Sequence, residues 1–290
     1  MSTESAQQQL LVMDGGPERA FRVGRAAPVG DGSGDVAGAM VTGPWLAGPE
    51  GAVPGGSLGV LVDNTLAFAL LHDRRYTGKW SVSAQISVDL CAPVPADGTL
   101  LTARCGKAYF GEKGGLATGT VTAADGTLIA HCAQHTRWIA SDVKAEDIEA
   151  FLAAREADSG TPASEIVAAG GPASLTELLD TRVKAADGGA IVELPVVREL
   201  ANPLGNLHGG ITFAAVDLAA QAALRSAGAP VHAQSIRVAY PRPLPPGQTV
   251  RFEAQVVHRG RSLGLVDVTA GNEAGKPCVV ASVTTGPVPF

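Results

Sequence analysis

The feature that most constrains this chain is that its central motif occurs twice. Asn202–Gln221 reads NPLGNLHGGITFAAVDLAAQ: an irregular Pro/Gly opening, a His-Gly-Gly, then an apolar run holding one carboxylate, Asp217. Gly51–Ala67 reads GAVPGGSLGVLVDNTLA, so GxxPGG, six residues and Asp63 match GxxHGG, six residues and Asp217 at an offset of 154. The segments behind each motif also correspond, AQISVDLCAPVPADGTLLTA at Ala84–Ala103 with AQSIRVAYPRPLPPGQTVRFEA at Ala233–Ala254. A helix-then-sheet unit repeated in this way predicts two copies of one fold in a single chain.

Each motif reads as a loop feeding a buried helix, since the apolar run contains no proline and begins after paired glycines. The first turn of a helix leaves backbone N–H groups unpaired, and glycine lets another group approach them closely. Such an end is a ready site for a polarised oxygen. A lone aspartate in an apolar helix is more often a tertiary hydrogen-bond partner than a catalyst. Two at matching repeat positions, each behind a Gly-Gly, shift the balance toward function.

The length of 290 residues suits two units of about 120–150 residues each. With 46% apolar and 17% charged residues, both can bury a core. A net charge of −6 argues against a nucleic-acid partner held by bulk electrostatics. Cys91, Cys105, Cys132 and Cys278 are dispersed, without metal-ligand spacing, and read as reduced core residues of a cytosolic protein. The first twenty residues do not read as a signal peptide, and the longest apolar run, Leu58–Leu71, is too short to span a bilayer and carries Asp63. No metal or cofactor and no membrane partner is expected.

In chain order, residues 1–20 read as a loose or partly helical lead-in and 21–158 as the first domain. That domain holds a strand or hairpin between Phe21 and Gly48, a helix from Gly56 to about His72, and strands at Trp80–Leu90, Leu100–Tyr109, Ala117–Ala123 and Leu128–Trp138. A capped surface helix, Ser141–Glu156, closes it. Residues 159–173 form a linker. The second domain, 174–290, begins with a short helix in SLTELLDTRV and a strand at Ala190–Arg198. The central helix and strands near His232–Tyr240, Thr249–His258, Leu263–Ala270 and Pro277–Thr285 follow. The fold class is α+β, an antiparallel sheet wrapped around a central helix, twice.

The pattern N-x2-G-x2-HGG-x6-D at Asn202–Asp217, with RVAYPRP and HRGRS behind it, resembles the hotdog-fold thioesterases of the phenylacetate-degradation type. The first half keeps Gly51, Gly55, Gly56, Asp63 and the strand pattern, with Pro54 in place of the His and Gly48 in place of the Asn. The resemblance implies a tandem, or double, hotdog that hydrolyses acyl-CoA thioesters. It also implies that such pseudo-dimers pair further into homo-oligomers.

Gly209 and Asp217 are eight residues apart on one helix, hence about 12 Å along its axis, and cannot serve one carbonyl. Antiparallel pairing of the repeat helices solves this, because each N-terminus then faces the other's Asp. One composite site joins Asn202, His208 and the Gly209 N–H to Asp63. Here Asp63 is general base or nucleophile, Gly209 the oxyanion donor, Asn202 the group that orients water or the carboxylate, and His208 a shaper of the loop. The other joins Asp217 to the Gly55 and Gly56 N–H groups and lacks the polar partners. Asp63 is therefore expected to work, with Asp217 active or vestigial. Candidate substrate-binding residues are Gly210, the turn cations Arg259, Arg261 and Lys113, with Arg237 and Arg242 as further cations, and Ser83, where the family often carries a hydroxyl.

Two rivals compete with hydrolysis: a hotdog that only binds acyl-CoA or a related ligand, and a hydratase on the same fold. Neither GAVPGGSL nor NLHGGITF carries the Asp and His a few residues apart that the resemblance leads one to expect of the hydratase branch. A DNA-binding regulator has no helix-turn-helix here to rest on. The low aromatic share, 4%, favours aliphatic or mixed acyl groups.

Overall fold

The computed structural model describes residues 10–49, 51–72, 80–139, 150, 153–154, 157–229 and 232–286. In chain order the first half contributes β1 (Leu11–Val12), a short helix Gly16–Phe21, β2 (Ala27–Pro28), β3 (Val36–Val41), the first central helix Gly59–His72, β4 (Trp80–Leu90), β5 (Leu100–Phe110), β6 (Gly115–Ala123) and β7 (Leu128–Ile139). After β8 (Thr161–Pro162) and two short helices, Ala163–Ala168 and Leu175–Leu178, come β9 (Arg182–Ala186), β10 (Gly189–Pro195) and the second central helix, Gly209–Ser226. The chain then closes with β11 (His232–Ala239), β12 (Thr249–Arg259), β13 (Gly264–Gly271) and β14 (Pro277–Gly286).

The strands read from the alternating segments correspond to β4–β7 and β10–β14. The helix expected over Ser141–Glu156 falls almost wholly outside the described residues. The segment read as a loose or partly helical lead-in carries the helix Gly16–Phe21, and before it β1 pairs antiparallel with β8 in the segment between the repeats.

One sheet of twelve strands runs in the order β2-β3-β5-β6-β7-β4-β11-β14-β13-β12-β10-β9. Read outward from its centre, each half gives the same series of equivalents. The halves meet where Gln85–Asp89 of β4 pairs antiparallel with Ser235–Ala239 of β11. This is the α+β double hotdog: an antiparallel sheet around a central helix, twice.

The two central helices lie against each other inside this sheet. Both are apolar on nearly every side, as befits helices enclosed by sheet and by each other. They approach closely because glycines stand at the crossing. A Cβ on Gly59 would overlap the Gly210 carbonyl oxygen, and one on Gly210 would overlap the Val60 amide. A Cβ on Gly56 would lie 2.6 Å from Asp217 Cβ, and one on Gly209 2.7 Å from Asp63 Oδ2. The contacts run antiparallel, so each helix start faces the other helix's aspartate.

Candidate active site

The helix crossing builds two pseudo-equivalent carboxylate sites. In the first, Asp63 accepts hydrogen bonds at both oxygens. Oδ2 takes the Gly210 N–H at 3.1 Å, and Oδ1 takes the Ser83 hydroxyl at 2.8 Å and the Gln134 amide at 2.5 Å. Gln134 Nε2 also donates to Ser83 Oγ at 2.8 Å, so the three side chains form a closed set. Asp63 is 6% exposed, and that small opening faces a cavity of about 380 Å³.

His208 caps the second central helix. Its Nδ1 accepts the Gly210 N–H at 3.0 Å and stands 3.4 Å from Asp63 Oδ2. The Gly210 N–H is thus shared between the imidazole and the carboxylate. The preceding amide, Gly209 N–H, has no hydrogen-bond partner among the described residues, and Gly209 lines the cavity. Tyr240, at the end of β11, donates its hydroxyl to the Gly209 carbonyl at 3.0 Å. Burial, and then the nearby Asp63 carboxylate, push its phenol well above the ordinary range, so it stays a neutral donor.

In the second site, Asp217 Oδ2 takes the Gly56 N–H at 2.8 Å, the counterpart of the Gly210 bond. The counterparts of the Ser83 and Gln134 donors have gone. Ser83 stands opposite Thr136 and Ile86 opposite Gln134, whereas the equivalent pairs in the second half are Ala233 with Thr285 and Ile236 with Val283. Asp217 Oδ1 is consequently buried with no hydrogen-bond partner among the described residues. The residue is fully buried, and burial pushes its carboxyl up, with the Gly56 N–H as the main opposing influence. Leu90 fills the space in front of Gly55, where a Cβ would overlap its Cδ1.

The predicted residues therefore separate. Asp63, Ser83, Asn202, His208 and Gly209 line this cavity together. Asn202 turns its Oδ1 to its own loop, accepting the Leu204 and Asn206 amides at 3.0 and 3.1 Å, so the Asp63 carboxylate is oriented by Gly210, Ser83 and Gln134 instead. Gly210 packs at the helix crossing with its N–H engaged, and Gly56 gives its N–H to Asp217. Lys113, Arg259 and Arg261 do not line the cavity. Arg242 does, with its guanidinium on the Pro277 carbonyl at 2.7 Å, while Arg237 faces Asp89 at 3.4 Å. The rest of the lining includes an apolar and aromatic set: Phe68, Leu71, Trp80, Val82 and Ile139.

Sequence reasoning missed Gln134, Tyr240 and Glu18. Gln134 carries no local signal, since β7 alternates like any half-buried strand. Tyr240 stands inside the RVAYPRP segment, where an aromatic before a proline reads as packing. Glu18 lies in the segment taken for a lead-in. The amide of Asn64 bridges it to the site: Asn64 Nδ2 donates to Glu18 Oε1 at 3.1 Å, and Asn64 Oδ1 lies 3.1 Å from His208 Nε2. Cys105, Cys132 and Cys278 are buried and Cys91 is half-buried, all four as free thiols. Burial pushes the Cys132 thiol up to about 12. Among the described residues no helix is long and apolar enough to cross a membrane.

Comparison with known proteins places two family models on the chain. A thioesterase superfamily model matches residues 204–279, and a model described as an acyl-CoA thioesterase C-terminal domain matches residues 9–137. Human acyl-coenzyme A thioesterase 13 is 34% identical over 96 residues, which are 32% of this chain and 69% of that protein. The Escherichia coli acyl-coenzyme A thioesterase PaaI is 31% identical over 90 residues, 31% of this chain and 64% of its own length. A putative oleoyl thioesterase from Lactobacillus plantarum shares the fold over 90% of this chain and 99% of that one, with a TM-score of 0.57 at 12% identity.

Proposed function

The chain belongs to the thioesterase superfamily, and from that premise we propose that it hydrolyses acyl-CoA thioesters to free acid and coenzyme A at the Asp63 site alone. The observation that carries this reading is the pairing, in one cavity, of the hydrogen-bonded Asp63 carboxylate with a Gly209 N–H from the other repeat that has no partner among the described residues.

In this reading the thioester carbonyl oxygen takes the Gly209 N–H, which stabilises the negative charge that develops there. Asp63, oriented by Ser83, Gln134 and the Gly210 N–H, removes a proton from water as the water oxygen bonds to the carbonyl carbon. The C–S bond then breaks, and the proton held by Asp63 passes to the departing thiolate. The Phe68–Leu71–Trp80–Ile139 wall takes the acyl group, and Arg242 is the cavity cation for a phosphate of the nucleotide moiety.

The test is thiol release from a panel of acyl-CoAs by the wild type and by Asp63→Asn. Turnover by the wild type that collapses in the variant supports the proposal; acyl-CoA binding without turnover favours the ligand-binding hotdog instead. A single turnover in ¹⁸O-water puts label only in the product acid when Asp63 is the base; label in Asp63 itself marks direct attack followed by hydrolysis of the mixed anhydride at the Asp63 carbonyl.

A further inference from the structure

Resting on the assignment of the reaction to Asp63, we propose that Glu18 is a positioning residue that acts on the site through Asn64 and His208. The Gly16–Phe21 helix places its carboxylate at the cavity wall. From there a chain of three hydrogen bonds leads back to the catalytic helix start: Glu18 Oε1 to Asn64 Nδ2 at 3.1 Å, Asn64 Oδ1 to His208 Nε2 at 3.1 Å, and His208 Nδ1 to the Gly210 N–H at 3.0 Å.

Both ends of this chain have a fixed sense. A backbone N–H only donates, so His208 Nδ1 carries no proton. A carboxylate only accepts, so the Asn64 amide presents its NH₂ to Glu18 and its oxygen to the imidazole. His208 Nε2 is therefore the N–H donor, and Glu18 sets the tautomer from two residues away. The tautomer matters because His208 Nδ1 stands 3.4 Å from Asp63 Oδ2. A proton on Nδ1 would turn this lone pair into a donor, draw the carboxylate toward the ring and push away the Gly210 N–H. The helix start that presents the Gly209 N–H would lose its cap. The second site has no such chain, with Pro54 at the His208 position and Leu218 at the Asn64 position.

The experiment combines kinetics with ¹⁵N NMR of histidine-labelled full-length protein. The wild type is expected to show His208 as the Nε2–H tautomer. Glu18→Ala and Asn64→Leu are each expected to mix the tautomers and to lower kcat roughly 3–10-fold, the worth of one buried hydrogen bond, while KM stays within about twofold. The double variant is expected to lose no more than either single one, because both cut the same link. Glu18→Gln keeps an acceptor for Asn64 and is expected to fall between. An unchanged tautomer in Glu18→Ala, a KM effect with kcat intact, or additive losses in the double variant would each overturn the relay. The two readings fail separately: a wild type that releases no thiol removes the proposed function, while the tautomer shift still tests the relay.

Discussion

The Asp63 and Asp217 sites share a scaffold, a helix crossing and a backbone donor, and differ in a few side chains. Asp63 has Ser83, Gln134, His208 and Tyr240 around it; Asp217 has Ala233, Val283, Pro54 and Leu90 at the matching places. The retained bond, Gly56 N–H to Asp217 at 2.8 Å, is the part of the pattern that holds the two helices together. The lost bonds are those to the second carboxylate oxygen, and Leu90 fills the space in front of Gly55. An aspartate at this crossing is thus first a link between helices, and the proposed catalyst is the one to which the sheet supplies a second set of donors and a cavity.

The sharpest way to break this comparison is to exchange the two charges in turn. Asp63→Asn is expected to lower kcat on the order of 100-fold or more, the usual worth of a general base, and Asp217→Asn to leave kcat within about twofold. Thiol-release assays on acyl-CoA report both, and an equal loss in the two variants would refute the asymmetry. Next come the glycines. A Cβ on Gly209 would stand 2.7 Å from Asp63 Oδ2 and disturb the free N–H, so Gly209→Ala is expected to lower kcat about 10–100-fold with modest change in KM. Gly55→Ala meets Leu90 instead, and its effect should appear in thermal unfolding rather than in rate.

The third contrast is with pH. The Asp217 carboxyl is raised in the folded state, so the fold holds its proton more tightly than the unfolded chain does. Stability from this group is present at and below its unfolded range near pH 4 and is lost as pH rises above it. Urea unfolding of the wild type is therefore expected to become easier between pH 4 and pH 7.5 relative to Asp217→Asn. A difference that is flat in pH would mean that Asp217 is not a strained acid. The smallest expected effect is that of Tyr240→Phe, which removes the hydroxyl from the Gly209 carbonyl. About 1 kcal/mol of stability and a few-fold in kcat should go with it, whereas Leu90→Phe in the other half should not alter kcat.

What was legible in the sequence was the periodic and the repeated. The offset between Asp63 and Asp217, the paired glycines and the strand alternation carried the double fold, because burial imposes those patterns locally. The antiparallel helix pair followed from distance alone, since eight residues of helix separate the Gly209 amide from its own aspartate. Gln134 was not legible: it meets Asp63 across 71 residues through strand register, and register leaves no mark on one strand read alone. Glu18 was hidden for the same reason, with the Asn64 amide as intermediary. Lys113, Arg259 and Arg261 misled because solvated turns carry cations whatever lies nearby, whereas Arg242 reaches the cavity from the Pro-rich segment after β11.

The seam between β4 and β11 has a consequence for mass action. The Asp63 site draws its carboxylate from one repeat and the Gly209 amide, the proposed oxyanion donor, from the other, so it exists only while the halves are docked. Were the repeats separate chains, diluting the protein would dissolve the site along with the dimer. Here docking is intramolecular, and each half meets its partner at a local concentration set by the intervening segment and not by the solution. Specific activity should accordingly stay constant as the protein is diluted, down to the limit of detection.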